Sequence, residues 1–236
     1  MIGVNYYTSK YQQAMGAGDV AGVVQQTHWN NVKSTASPLA LVDDAGLTTG
    51  ATLSSRGSFS YTGISDATAD GRLMCGYLTA LGAADPPAAT FSGLSAAFPL
   101  GYDVIVYFDG SNDKRIQGVP DVAWVMDISV GGMTRTVTDP ANMNFSGTYV
   151  EDTGAGGNYA RFDNLSADVL TVTVTPHVGT NAALNGIQVI HTPEPATAGL
   201  MAAGLAALVW RRRRRLRTAA GRAADGEASG GRAARP

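Results

Sequence analysis

Little in this chain is equipped for covalent chemistry. Cys75 is the only cysteine, which excludes an internal disulfide framework and a cysteine-rich zinc site and predicts a small buried hydrophobe in its place. The histidines number three, His28, His177 and His191, none at metal-ligand spacing from another, and up to Thr192 the single glutamate is Glu151. Catalysis needs convergent titratable groups. With no Gly-x-Ser-x-Gly elbow and no His-Glu-x-x-His pair, the expectation is a protein that is not an enzyme and carries no cofactor. The stretch Gly16-Ala17-Gly18-Asp19-Val20-Ala21 has the letters of a dinucleotide fingerprint, but that loop requires a parallel βαβ unit, and nothing downstream supplies one.

Charge is scarce and unevenly placed. Only 15% of the 236 residues are charged. Up to Thr192 eight Lys and Arg face sixteen Asp and Glu, a net of −8, whereas the other nine basic residues are all arginines from Arg211 onward. A nucleic-acid partner would rest wholly on that terminal cluster and is not expected. Glu and Lys are rare while glycine is common, at 29 residues, a balance that works against long amphipathic helices.

What is present reads as strands. A strand is clearest from Val169 to Thr175, where Leu170, Val172 and Val174 alternate with Thr171, Thr173 and Thr175, the pattern of one buried and one wet face. In Tyr102 to Phe108 both alternating sets are mostly apolar, which predicts a central strand between packed layers. Further strands are expected at Ile2 to Tyr6, Leu39 to Val42, Thr52 to Tyr61, Phe91 to Leu94, Val122 to Val130, Tyr159 to Leu165 and Leu184 to His191. Asp70 to Leu81 reads as a short helix that Gly76 weakens. Eight to ten short strands with turn-rich connections predict an all-β fold, a β-sandwich of jelly-roll type, over residues 1–191.

The end of the chain has a different grammar. Pro193-Glu194-Pro195 interrupts any ladder or helix. Ala196 to Trp210 carries no charge, and as a helix it would be about 22 Å long against a hydrocarbon core of ~30 Å. Trp210 suits the headgroup level and Arg211, Arg212, Arg213, Arg214 and Arg215 fix a cytoplasmic flank, so the expected topology is a short transmembrane helix with the acidic body outside. Residues 218–236, rich in Ala, Gly and Arg, read as a disordered basic tail. Proline hinge, greasy stretch and arginine cluster over residues 192–217 resemble the PEP-CTERM sorting signal. The resemblance implies recognition in the membrane by an exosortase, a cysteine transpeptidase-like enzyme, with cutting near the Pro-Glu-Pro. It also implies export to the cell envelope, cell surface or extracellular matrix after transient membrane insertion. The secretory leader such proteins carry is not read in Met1-Ile2-Gly3-Val4-Asn5, so the expected true start lies upstream.

The order of blocks in the body resembles a galactose-binding-like jelly roll of surface proteins. The residues that carry the likeness include Gly3-Val4-Asn5, Trp29-Asn30-Asn31, Tyr107-Phe108-Asp109-Gly110 and Leu184-Asn185-Gly186. Three residues stand as ligand candidates. Trp29 could offer a stacking face to a sugar ring. Asp109 and Asp113 flank the turn Gly110-Ser111-Asn112 and could hold calcium, although without EF-hand spacing a solvated turn is the simpler expectation. The functional expectation is a non-enzymatic exported protein associating with carbohydrate polymer such as exopolysaccharide. A surface enzyme or accessory domain acting on polysaccharide, and a structural surface-layer protein, are the alternatives.

Overall fold

Period-two alternation of apolar and hydroxyl side chains decides most of this architecture. The computed structural model describes residues 1–35, 38–81, 85–111, 122–141, 145–177 and 180–192. In chain order the elements are β1 (Ile2–Tyr6), β2 (Asn30–Val32), β3 (Leu39–Val42), β4 (Thr48–Arg56), β5 (Ser58–Tyr61), α1 (Ala69–Cys75), β6 (Gly76–Thr79), β7 (Ala88–Ser92), α2 (Leu94–Ala97), β8 (Tyr102–Tyr107), β9 (Trp124–Val130), β10 (Met133–Asp139), β11 (Tyr159–Leu165), β12 (Leu170–Pro176) and β13 (Gly186–His191). The body is all-β, as the composition predicts.

One sheet runs β11-β8-β13-β1-β2 and a second runs β10-β9-β12-β7-β4-β3, with β5 and β6 forming a separate ribbon. Every ladder is antiparallel except β1 with β2. The two large sheets share one apolar core. Val4, Val104, Val106, Phe162 and Val189 come from the first, and Leu53, Phe91, Ile128, Val172 and Val174 from the second. On β12 the odd-numbered threonines point away from that core, and Thr171 meets Thr90 of β7 at 3.0 Å between hydroxyl oxygens. Burial of the valines supplies the driving force, at about 25 cal/mol per Å² of apolar surface, while the hydroxyls keep the other face wet.

β8 lies between β11 and β13, buried at every position. Its even-numbered valines enter the main core, and Ile105 and Tyr107 face a second apolar cluster with Met15, Trp29, Leu73, Met74 and Phe145. Both faces are therefore covered, as the two apolar sets require.

Where the expected helix continued to Leu81, the structure ends it at Cys75 and starts a strand at Gly76. Thr68 caps the helix, its hydroxyl accepting the Gly71 N–H at 3.0 Å. At Gly76 a Cβ would run into the Tyr6 carbonyl and the Gln12 side chain. The missing side chain lets β6 close against β1, and Gly76 pairs with Tyr61 of β5 instead of prolonging the helix. Likewise the expected strand Thr52 to Tyr61 is two strands, broken at Gly57, whose φ of +146° lies where other residues are strained.

The two ends of the first sheet are distinct. Ile2 pairs with Val189 and His191 with Tyr102, so the start of β1, the end of β13 and the start of β8 lie together. Thr192 closes this end, its N–H reaching the Gly101 carbonyl at 3.5 Å. At the other end the Tyr6 N–H donates to the Asn185 carbonyl at 3.0 Å, beside Phe108 and Asp109.

Candidate functional site

Tyr11 and Tyr61 are far apart in sequence, yet the structure stacks their rings with centroids 4.3 Å apart and planes 24° apart. They remain 49% and 40% exposed. Two tyrosines stacked this closely could have been pulled into a core; here each gives one face to the other and leaves the rest to solvent. Lys10 adds a cation, its Nζ 4.7 Å from the Tyr11 ring centroid.

Hydrogen bonds of the backbone and of neighbouring side chains fix the segments that carry both rings. Tyr11 sits on a turn in which its own N–H and that of Gln12 donate to the Thr8 carbonyl. Gln12 is buried and donates from its amide to the Arg72 carbonyl, while the Gln13 N–H donates to Asp66 at 2.9 Å. Tyr61 ends β5, and its carbonyl accepts the Ser111 hydroxyl at 2.5 Å, which in turn accepts from the Tyr77 hydroxyl at 3.1 Å. An anchored backbone and a tyrosine's two rotatable bonds leave little freedom to lose on binding, the condition for an aromatic platform to be useful.

The aromatic expected at such a surface is elsewhere. Trp29 is 4% exposed. Its ring meets Tyr107 edge-on at 6.3 Å and its indole N–H donates to the Gln26 carbonyl at 3.2 Å. With no free face it is a core residue, which corrects its assignment as a ligand contact. Trp124 is buried too, packed edge-on to Tyr77. Nothing local in the sequence separates these from Tyr11 and Tyr61; position in the fold does.

Asp109 also departs from expectation. Instead of lying on a solvated turn it is 1% exposed at the end of β8. One carboxylate oxygen accepts the Phe145 N–H at 2.5 Å, and Oδ1 has no hydrogen-bond partner among the described residues. Burial, and then the charge of nearby Asp139, push its pKa well above the ordinary carboxylate value, against the Phe145 N–H. Asp139 itself accepts the Gly110 N–H at 2.8 Å. Asn185 organises this corner: its Oδ1 accepts the Asp109 N–H at 2.7 Å, and its Nδ2 donates to the carbonyls of Met74 and Asp109 at 2.7 and 3.0 Å. Asp113, the other calcium candidate, lies outside the described residues. Among the described residues no three His, Cys, Asp or Glu side chains converge to hold a metal.

His28 Nδ1 lies 3.1 Å from the Asp44 carbonyl, and His177 pairs with Asp127 at 3.1 Å. Cys75 is buried, and that burial pushes its thiol up to about 11. An open cavity of about 260 Å³ lies between the loops bearing Phe145, Val150 and Gly156. The Asn158 amide on its wall is already engaged by the Val150 N–H and the Thr148 carbonyl, so among the described residues no charged or unengaged amide group converges there.

The residues of the sorting signal, Pro193, Glu194, Pro195, Trp210 and Arg211 to Arg215, lie outside the described residues, as does the expected helix from Ala196 to Trp210. Among the described residues no helix is long and apolar enough to cross a membrane. Contacts divide the chain into two units, Met1–Thr192 and Pro193–Pro236.

Compared with known families, residues 191–214 match the PEP-CTERM protein-sorting motif. No curated protein and no solved structure matches the chain. The motif marks an exported protein sorted to the cell envelope, and it implies exosortase-type processing.

Proposed function

We propose that this chain is a non-enzymatic, exported surface protein whose body, a jelly-roll-like β-sandwich, associates with carbohydrate polymer at the cell surface or in the extracellular matrix. The exosortase cuts near Pro193-Glu194-Pro195, while Trp210 and Arg211 to Arg215 hold the apolar stretch with the body outside. The observation that carries the carbohydrate reading is the exposed stack of Tyr11 and Tyr61. A pyranose presents a face of C–H bonds that packs on an aromatic plane as an apolar ligand would, and tyrosines supply such area at low cost in side-chain freedom.

The test uses the purified full-length chain in detergent and a panel of soluble polysaccharides, with Tyr11→Ala and Tyr61→Ala as variants. Binding to at least one polymer that falls roughly fivefold or more in each variant, with unchanged melting temperature, is the expected outcome. Retention of full binding by both variants would end the proposal for this site. Release of reducing sugar during the assay would end the non-enzymatic part.

A further inference from the structure

Tyr11 and Tyr61 have a charged neighbour whose situation sets it apart. The described residues include six Lys and Arg, and all four arginines are spoken for. Arg56 pairs with Asp85, Arg72 with Asp19, Arg135 with Glu151, and Arg161 with Asp103 and Asp163, at N···O distances from 2.5 to 3.3 Å. Among the described residues Lys10 and Lys33 make no ion pair. Lys10 is fully exposed and lies over the Tyr11 ring. Its ammonium titrates above the ordinary lysine value, chiefly through the Tyr11 side chain. Asp66 is the acidic side chain of the same corner, and its carboxylate is engaged by the Gln13 N–H.

We infer that the polymer recognised by the Tyr11–Tyr61 stack is acidic, a chain of uronic acid or otherwise carboxylated sugars, with Lys10 taking the carboxylate while the rings take the C–H face. The inference rests on the carbohydrate reading above and sharpens it. The phenol hydroxyls can meet the hydroxyls of any sugar, but the cation beside Tyr11 has no carboxylate partner among the described residues, and a sugar carboxylate is the group that would complete it. The body's net charge of −8 up to Thr192 repels polyanions in general. A single unpaired cation beside an aromatic pair therefore admits one only where stacking and charge act together.

The experiment measures binding of the full-length chain in detergent to polygalacturonate and to neutral dextran of matched length, at 0.01 M and 1 M salt. Across that range the Debye length falls from about 30 Å to about 3 Å. The variants are Lys10→Gln, Lys10→Arg, Lys33→Gln and Tyr61→Ala. Wild type should prefer polygalacturonate at low salt and lose the preference at high salt. Lys10→Gln should cut the preference roughly three- to fivefold, the size of one solvent-exposed charge contact. Lys10→Arg should keep it, Lys33→Gln should leave it unchanged, and Tyr61→Ala should weaken both polymers. A preference that Lys10→Gln leaves undiminished, as the arginines from Arg211 onward would by themselves produce, overturns the inference. Dextran binding that depends on Tyr61 with no preference for polygalacturonate overturns it while leaving the carbohydrate reading intact, and binding to neither polymer at either salt overturns it outright. Equal competition by a single-stranded oligonucleotide would make Lys10 a contact for any anion and overturn the sugar assignment.

Discussion

Asn185 offers the sharpest test of how this body is held together. Its side chain is fully buried and makes three hydrogen bonds that join β13, the end of α1 and the turn after β8. Asn185→Ala leaves the Asp109 N–H and the carbonyls of Met74 and Asp109 without that partner. A buried polar group stripped of its partner costs about 1–3 kcal/mol. Toward the low end for each, because the carbonyls keep a second lone pair, the total is roughly 4 kcal/mol. For a domain of this size each kcal/mol moves the midpoint about 2–4 °C, so the variant should melt roughly 12 °C lower. Guanidinium unfolding followed by the fluorescence of buried Trp29 and Trp124 measures the loss directly, with exposed Thr171→Ala as a control expected within about 0.5 kcal/mol. Asn185→Asp sharpens the test. It keeps the acceptor for the Asp109 N–H but turns two donors into acceptors facing carbonyls. Its acid should therefore titrate high, and the variant should be weakest at neutral pH and recover toward pH 4. A loss under about 1 kcal/mol for Asn185→Ala, or an Asp variant as stable as wild type at pH 7, would refute the account.

Two further outcomes follow. The folded pKa of Asp109 is raised, so its favourable contribution is complete below the ordinary value near 3.8 and is lost as pH rises through the folded pKa. Asp109→Asn, which keeps an acceptor for the Phe145 N–H, should then be about 1 kcal/mol more stable than wild type at pH 7 and equal near pH 4. Denaturation curves at both pH values decide it, and a difference that does not shrink on acidification counts against it. Cys75, buried with its thiol pushed up to about 11, should resist a thiol-specific chromogenic reagent at pH 8 in the native protein and react fully in guanidinium. Complete reaction within minutes in the native protein would show that the pocket around Thr62 opens.

Strands with clean alternation were legible from the chain alone. β1, β3 and β11 lie where expected and β12 shifts by one residue, because each presents a regular apolar set to the core. β10 was not foreseen: of its seven residues Val137 and Asp139 alone are buried, and an edge strand that packs so little writes almost no pattern. β6 was hidden inside a segment with helical character, since its strand state depends on Gly76 fitting against Tyr6, a contact distant in sequence. The candidate site was the least legible part. The aromatic pair exists because the β5–β6 ribbon closes beside the turn after β1, so no local motif marks it, whereas Trp29 looked available until the stretch around Gln26 covered it. The sorting signal is the opposite case: its meaning lies in the order of a hinge, an apolar run and a charge cluster, which needs no tertiary contact to be read.

The antiparallel pairing of β1 with β13 has a mechanical consequence. Thr192, where the sorted tail departs, lies at one end of the first sheet, and the turn carrying Tyr11 follows β1 at the other, a strand length or about 17–20 Å away. A force applied at Thr192 against a load held at that turn would run along β1 and β13 and load their ladder in shear, so that its bonds share the force instead of parting one after another.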